Sequence, residues 1–204
     1  LVRVTAKAPT AEEAELMMAP VIERVCREFG ELVYGIDCPN LATYTVKLLM
    51  ERGVTVACAE SCTGGELQKC ITDIPGASAV LLGGTVVYTN AAKTSLLGVP
   101  AALLEEKGAV SREVAEELAR RVREKLDSDL GVGVTGLAGP DGDGEHEVGT
   151  VFISLADREQ VWVREARLTG RGRGLVRHQA CQEAFDMLRR YVSGLSVCGE
   201  GGAV

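Results

Sequence analysis

A chain of 204 residues, 46% of them hydrophobic, is long enough to close one α/β domain around a sizeable core and to carry a small appendage. A formal net charge of -7 and a pI near 5.0 argue against a partner held mainly through its phosphate backbone, so no nucleic acid is expected. No window approaches the roughly 18 apolar residues of a membrane span and no signal peptide opens the chain, so a soluble, cytoplasmic protein with no membrane partner is expected.

The first 37 residues read as a separate strand-helix-strand unit. "LVRVTAK" alternates Val2, Val4 and Ala6 with polar neighbours, the period of a half-buried strand. Thr10 and Glu13 stand at capping-box spacing, and Ala14, Met17, Met18, Val21, Val25 and Phe29 recur on one helical face. "ELVYGI" is the return strand, and Cys38, Pro39 and Asn40 mark a boundary. A main domain is expected over residues 40–192, with a helix over 41–52, a strand over 54–58, a helix from 64 and a strand over 83–89. Short helices follow over 91–107, then a helix over 112–126 and strands over 130–135, 148–156 and 160–168, before a last helix over 172–192. Helices alternating with strands predict a three-layer α/β sandwich. The link between the last two strands is too short for a crossover, so they form an antiparallel hairpin and the sheet is mixed. The tail, residues 193–204, is expected to fray, and an opening Leu1 in place of methionine fits a piece of a longer protein.

Ligands of α/β sheets gather beyond the carboxyl ends of parallel strands, where three polar, glycine-rich stretches fall: Glu60 to Glu66, Tyr88 to Lys93, and Thr135 to Pro140. Thr63 and Glu66 match a capping box, a purely local role that leaves Ser61 unexplained. A serine between a strand end and a helix start sits where N–H groups converge, which suits an oxyanion or a phosphate. The pattern is neither a P-loop nor GxSxG. A nucleophilic serine needs a base. His146 lies in a charged loop and His178 inside the last helix, where solvated or packed roles fit better; Lys93, just past a strand, can lower its pKa by partial burial.

Cys62 competes for the nucleophile role, since a helix start favours a thiolate. Against it, the chain has seven cysteines, Cys26, Cys38, Cys58, Cys62, Cys70, Cys181 and Cys198, and uses them as small apolar residues. Their spacing indicates neither a disulfide framework nor a zinc site. Arg171, Arg173 and Arg177 crowd a helix start, where positive charge opposes the helix dipole; an anionic ligand explains them, and a solvated turn is the alternative.

"AESCTGG", "GGTVVYTNAAKTSLLGV", "GAVSREVAEELA", "VGVTGLAGPDG" and "VGTVFISLA", in this order, resemble the CinA C-terminal domain family, also called PncC or nicotinamide mononucleotide deamidase. The likeness runs over residues 40–192, while residues 1–37 resemble the second half of the KH-like middle region of full-length CinA proteins. Those proteins also carry a domain similar to molybdopterin-binding domains. The resemblance implies an α/β/α sandwich with a mixed five-stranded sheet, plus here a small N-terminal β-α-β appendage, usually as a homodimer. It implies hydrolysis of the amide of nicotinamide mononucleotide to nicotinate mononucleotide and ammonia, with no cofactor and no metal. Ser61 matches the family's nucleophile, Lys93 the lysine that activates it and Thr135 a threonine of the active site. Arg173 matches the arginine of a GDR stretch, which here reads Arg171-Gly172-Arg173, with glycine where aspartate is common. The set expected around the substrate is Glu60, Thr63, Gly64, Gly65, Tyr88, Asn90, Gly136 and Arg173, with N–H groups near Thr63, Gly64 and Gly65 on the oxyanion. The alternatives are a nucleotide-binding module without turnover and an amidase of different substrate.

Overall fold

The structure, a computed structural model, describes residues 1–198 and separates into two compact units, Leu1–Cys38 and a second that begins at Pro39. In the first unit helix α1 (Ala11–Phe29) starts where the Thr10 side chain accepts the Glu13 N–H at 3.2 Å, and a 3-10 turn over Gly30–Leu32 follows it. The flanking segments expected as strands are not strands. Val4, Ala6 and Ala8 keep the alternation, half-buried between exposed neighbours, but no ladder forms among the unit's described residues. Alternation marks a face, whereas a strand also needs a neighbour to bond. The β-α-β appendage is therefore a helix with non-strand flanks.

The second unit is the expected sandwich. Its elements are α2 (Leu41–Arg52), β1 (Val56–Glu60), α3 (Glu66–Thr72), β2 (Leu81–Val86), α4 (Asn90–Leu97) and α5 (Ala101–Lys107). Then come α6 (Arg112–Leu126), β3 (Leu130–Gly136), β4 (Thr150–Ala156), β5 (Val161–Arg167) and α7 (Arg173–Val192). The sheet runs β2-β1-β3-β4-β5, parallel from β2 to β3 and antiparallel through the β4–β5 hairpin, so it is mixed as the short connection requires. Its period-two alternation divides the core. Val56 and Cys58 of β1 and Leu130, Val132 and Val134 of β3 pack with α2, α3 and α7, and Ala57 and Ala59 pack with α4, α5 and α6. No helix among the described residues is long and apolar enough to cross a membrane.

Each strand differs from expectation by one to three residues at one end or both, and two of these differences bear on the site. β1 runs to Glu60 rather than ending at 58, and β2 ends at Val86, leaving Val87 to Thr89 as a loop into α4. The tail is also packed further than expected: Val197 is buried, its carbonyl accepts from Arg164 at 2.8 Å, and Arg190 donates to the Ser196 carbonyl at 2.5 Å. Residues 199–204 of that segment lie outside the described residues.

Helix α6 lies directly on the backbone of β3. A Cβ on Gly131 would stand 2.1 Å from the Ala119 carbonyl oxygen, and one on Gly133 would stand 2.6 Å from that of Ala115. Ser154 of β4 seals the same contact, its Oγ 2.6 Å from the Ala115 carbonyl oxygen. Backbone cannot yield as a flexible side chain can, so Gly131→Ala is expected to destabilise the domain by about 1–3 kcal/mol through overpacking. Urea unfolding of the variant measures this, and an unchanged midpoint would refute the contact.

Candidate active site

Because β2, β1 and β3 are parallel, the loops after them leave from one end of the sheet, and these are the three stretches singled out in the sequence. They are joined by backbone bonds: Ser61 N–H donates to the Val134 carbonyl at 2.9 Å and Val87 N–H to the Glu60 carbonyl at 2.8 Å. Side-chain alternation along β1 then sends Glu60 toward α3, with Val56 and Cys58, and Ser61 toward α4, with Ala57 and Ala59.

On the α4 side Ser61 meets Lys93. The lysine amine lies 3.3 Å from Ser61 Oγ and donates to the Val87 carbonyl at 3.2 Å; Lys93 is only 1% exposed and Ser61 7%. Thr89 caps α4 through the Ala92 N–H at 3.1 Å, which sets the helix register that turns Lys93 inward. No carboxylate pairs with this ammonium among the described residues, and burial pushes its pKa below the usual lysine range. A neutral amine can donate one N–H to Val87 while its lone pair faces the serine hydroxyl. Cys62 differs sharply. It packs into the core on the other face of the sheet, and burial pushes its thiol up to about 12, so it is not poised as a thiolate.

On the α3 side the capping box is replaced by another device. The Glu60 carboxylate, fully buried, accepts from Gly65 N–H at 2.8 Å, Leu67 N–H at 3.1 Å, Gln68 N–H at 2.9 Å and the Gln68 amide at 3.1 Å. Its acceptor positions face the protein's own donors, so Glu60 organises the turn and the start of α3. Residue 66 instead pairs outward: the Glu66 carboxylate lies 3.6 Å from Arg177 and 3.3 Å from His178 Nδ1. Gly64 and Gly65, at φ +61° and +94°, take left-handed conformations that a side chain would strain. Gly64 N–H closes a turn onto the Ser61 carbonyl at 3.0 Å. Two of the three N–H groups expected on an oxyanion, those of Gly64 and Gly65, are thus already engaged. Cys62 N–H faces its own thiol sulfur, so the backbone donor of this turn left without a partner among the described residues is that of Thr63.

Arg177 holds the turn from α7, donating to the Thr63 carbonyl from Nε at 3.2 Å and from its terminal nitrogen at 2.7 Å. One helical turn earlier Arg173 reaches the other two loops, donating to Tyr88 Oη and to the Gly139 carbonyl, both at 2.6 Å. The sequence placed these arginines together, and their separate targets follow from the tertiary fold. Arg173 has no carboxylate partner among the described residues and keeps its charge available. Thr135 stands at the carboxyl end of β3 with its hydroxyl donated to the Ala109 carbonyl at 2.6 Å, which ties the approach to α6 onto the sheet. Gly136 ends β3 where a Cβ would meet the Thr150 carbonyl oxygen at 2.7 Å, a packing role. Asn90 is exposed and lines a recess of about 400 Å³ with Thr94, Ser95, Leu104 and Glu105, a set that does not include Ser61. Sequence reasoning missed Gln68 and the Val87 and Ala109 carbonyls, which carry no side-chain signal. Among the described residues no group of three or more His, Cys, Asp or Glu side chains is placed to hold a metal ion.

The fold and the buried pair define a three-layer α/β domain with a serine and a lysine at the carboxyl ends of its parallel strands. The sequence pattern of the CinA C-terminal domain matches residues 39–192, and the chain belongs to that family. It is 47% identical over 199 residues to a CinA-like protein of Desulfovibrio desulfuricans, covering 96% of this chain and 47% of that protein. It is 44% identical over 190 residues to a CinA-like protein of Geobacter sulfurreducens, covering 93% of this chain and 46% of that one. The chain therefore spans about half the length of these curated relatives. Among solved structures, a competence-damaged protein (CinA) superfamily protein from Klebsiella pneumoniae superposes with TM-score 0.73 at 29% identity, over 76% of this chain and 96% of its own. A competence/damage inducible protein from Agrobacterium tumefaciens gives 0.71 at 34%, over 78% and 99%.

Removing the Glu60 carboxylate leaves several donors unsatisfied, whereas removing Arg177 frees one carbonyl. Glu60→Ala is expected to cost at least about 2 kcal/mol and Arg177→Ala about 1 kcal/mol. Denaturant unfolding of the two variants should reproduce this order; the reverse order would move the anchor of the turn to Arg177.

Proposed function

We propose that the chain is an amidohydrolase that converts nicotinamide mononucleotide to nicotinate mononucleotide and ammonia through an acyl-enzyme on Ser61. The observation that carries the catalytic part is the buried Lys93 amine 3.3 Å from Ser61 Oγ with no carboxylate partner. The family resemblance supports the choice of substrate. Neutral Lys93 takes the Ser61 proton as Oγ attacks the carboxamide carbon. The developing oxyanion accepts from the unpartnered N–H group of Thr63. Collapse expels ammonia, with Lys93 returning the proton, and water then cleaves the ester by the same route. Arg173 offers its unneutralised guanidinium to the 5'-phosphate, exchanging bonds with Tyr88 and Gly139 for a charge-assisted one.

Ammonia release from nicotinamide mononucleotide by the purified chain tests this reading. Ser61→Ala is expected to reduce it to background and Cys62→Ala to retain most of it. The opposite pattern would make the protein a thiol amidase, and nucleotide bound but never cleaved by the wild type would make it a binding module.

The base must be neutral, so kcat/KM is expected to rise with pH along a limb whose midpoint lies below the usual lysine range. Lys93→Arg should be nearly as inactive as Lys93→Ala, because arginine stays protonated. Arginine retaining a tenth of the rate, about 1.4 kcal/mol below wild type, would reduce the lysine to electrostatic support.

A further inference from the structure

Three buried side-chain polar atoms among the described residues have no hydrogen-bond partner: Thr63 Oγ1, Arg123 Nε and Arg164 Nε. The two arginines are engaged through other nitrogens: Arg164 donates to Glu183 and Asp186, and Arg123 approaches Glu124 at 3.9 Å. Thr63 is different, because its whole polar function is unpaired while the residue is 0% exposed. A buried, unsatisfied hydroxyl destabilises a fold, so its place needs a reason. The usual reason, a helix cap, is absent here, since Glu60 holds the first donors of α3.

Thr63 occupies a central position of the turn that begins at Ser61 and closes through Gly64 N–H. Successive N–H groups in such a turn form a concavity suited to an anion. The donors left over there are Thr63 N–H and the Thr63 hydroxyl, which lies close in covalent structure to that nitrogen, while Cys62 N–H faces its own thiol sulfur. Arg177 fixes the Thr63 carbonyl with two bonds and so limits rotation of this group. Depth does not remove the hydroxyl from the reaction: Ser61 at 7% and Lys93 at 1% exposure lie equally deep, and a reacting amide must reach that depth.

We infer that the Thr63 hydroxyl is a side-chain donor to the oxyanion formed on Ser61 acylation, acting with the backbone N–H group of the same residue. The inference rests on Ser61 being the nucleophile and holds for any amide that reacts there. The donor is idle in the free protein and engaged only when charge develops, so the residue lowers stability in exchange for rate.

Thr63→Val and Thr63→Ser in the full chain test it through two readouts of opposite sign. Valine keeps the volume and removes the unsatisfied oxygen, so its thermal midpoint is expected to equal or exceed that of wild type. Its kcat on nicotinamide mononucleotide should fall about 100-fold to 1000-fold, with KM changed little. Serine keeps the donor and should stay within about tenfold of the wild-type kcat. A second probe does not depend on the substrate. A fluorophosphonate forms a bond from Ser61 Oγ to phosphorus with loss of fluoride, the serine proton passing to Lys93, and places a phosphoryl oxygen at the oxyanion position. Slower Ser61 labelling in Thr63→Val, with labelling restored in Thr63→Ser, supports the inference even if nicotinamide mononucleotide is not the substrate. Wild-type kcat and labelling in Thr63→Val would overturn it, as would a valine variant that loses rate together with thermal stability. A wild-type chain that neither hydrolyses nor labels would overturn it together with the serine mechanism.

Discussion

The buried carboxylate of Glu60 organises everything around it. A charge sealed from water is tolerable only if donors surround it, and the chain supplies them from the turn and first residues of α3. Meeting that demand bends residues 61–65 back on themselves and calls for left-handed conformations at Gly64 and Gly65. It also leaves the Thr63 N–H and hydroxyl without a protein acceptor among the described residues. The helix start that looks from the sequence like an anion site is filled by the protein's own anion, and the open donors lie one step earlier, beside Ser61.

Environment also decides between the two adjacent nucleophile candidates. Successive residues at the end of β1 point to opposite faces of the sheet. Ser61 meets a lysine stripped of water and of counter-charge, while Cys62 enters a core where a thiolate is strongly disfavoured. A single-residue shift in strand register would exchange the two environments. The glycine-mediated contact of α6 on β3 and the backbone bonds from Ser61 to Val134 and from Val87 to Glu60 oppose that shift.

Helix α7 closes the arrangement from the far end of the sequence. Arg173 and Arg177 lie one helical turn apart and so project in similar directions. The first joins Tyr88 and Gly139, and the second joins Thr63, so one helix start braces all three loops. Its partners are neutral oxygens in each of these bonds. Arg177 also lies 3.6 Å from the Glu66 carboxylate, so the positive charge left without a carboxylate partner among the described residues is that of Arg173, in a protein whose net charge is -7.

Much of this was legible in order along the chain. Apolar period marked the helices and strands of the main domain, the short link after β4 required a hairpin, and polar glycine-rich stretches at strand ends located the loops of the site. Residue chemistry alone made Ser61 and Lys93 a candidate pair and made Cys62 a rival. What the sequence could not state was partnership. Alternation in the first residues predicted strands that found no ladder, and the spacing of Thr63 and Glu66 predicted a cap that Glu60 provides from β1. The packed tail up to Cys198 likewise depends on the Arg164 and Arg190 side chains reaching its carbonyls. Propensity and pattern are local properties, determined by neighbours a few positions away. The burial that lowers the Lys93 pKa, the side of the sheet each residue faces and the donors left without acceptors arise from segments far apart in sequence, and only the tertiary structure decides them.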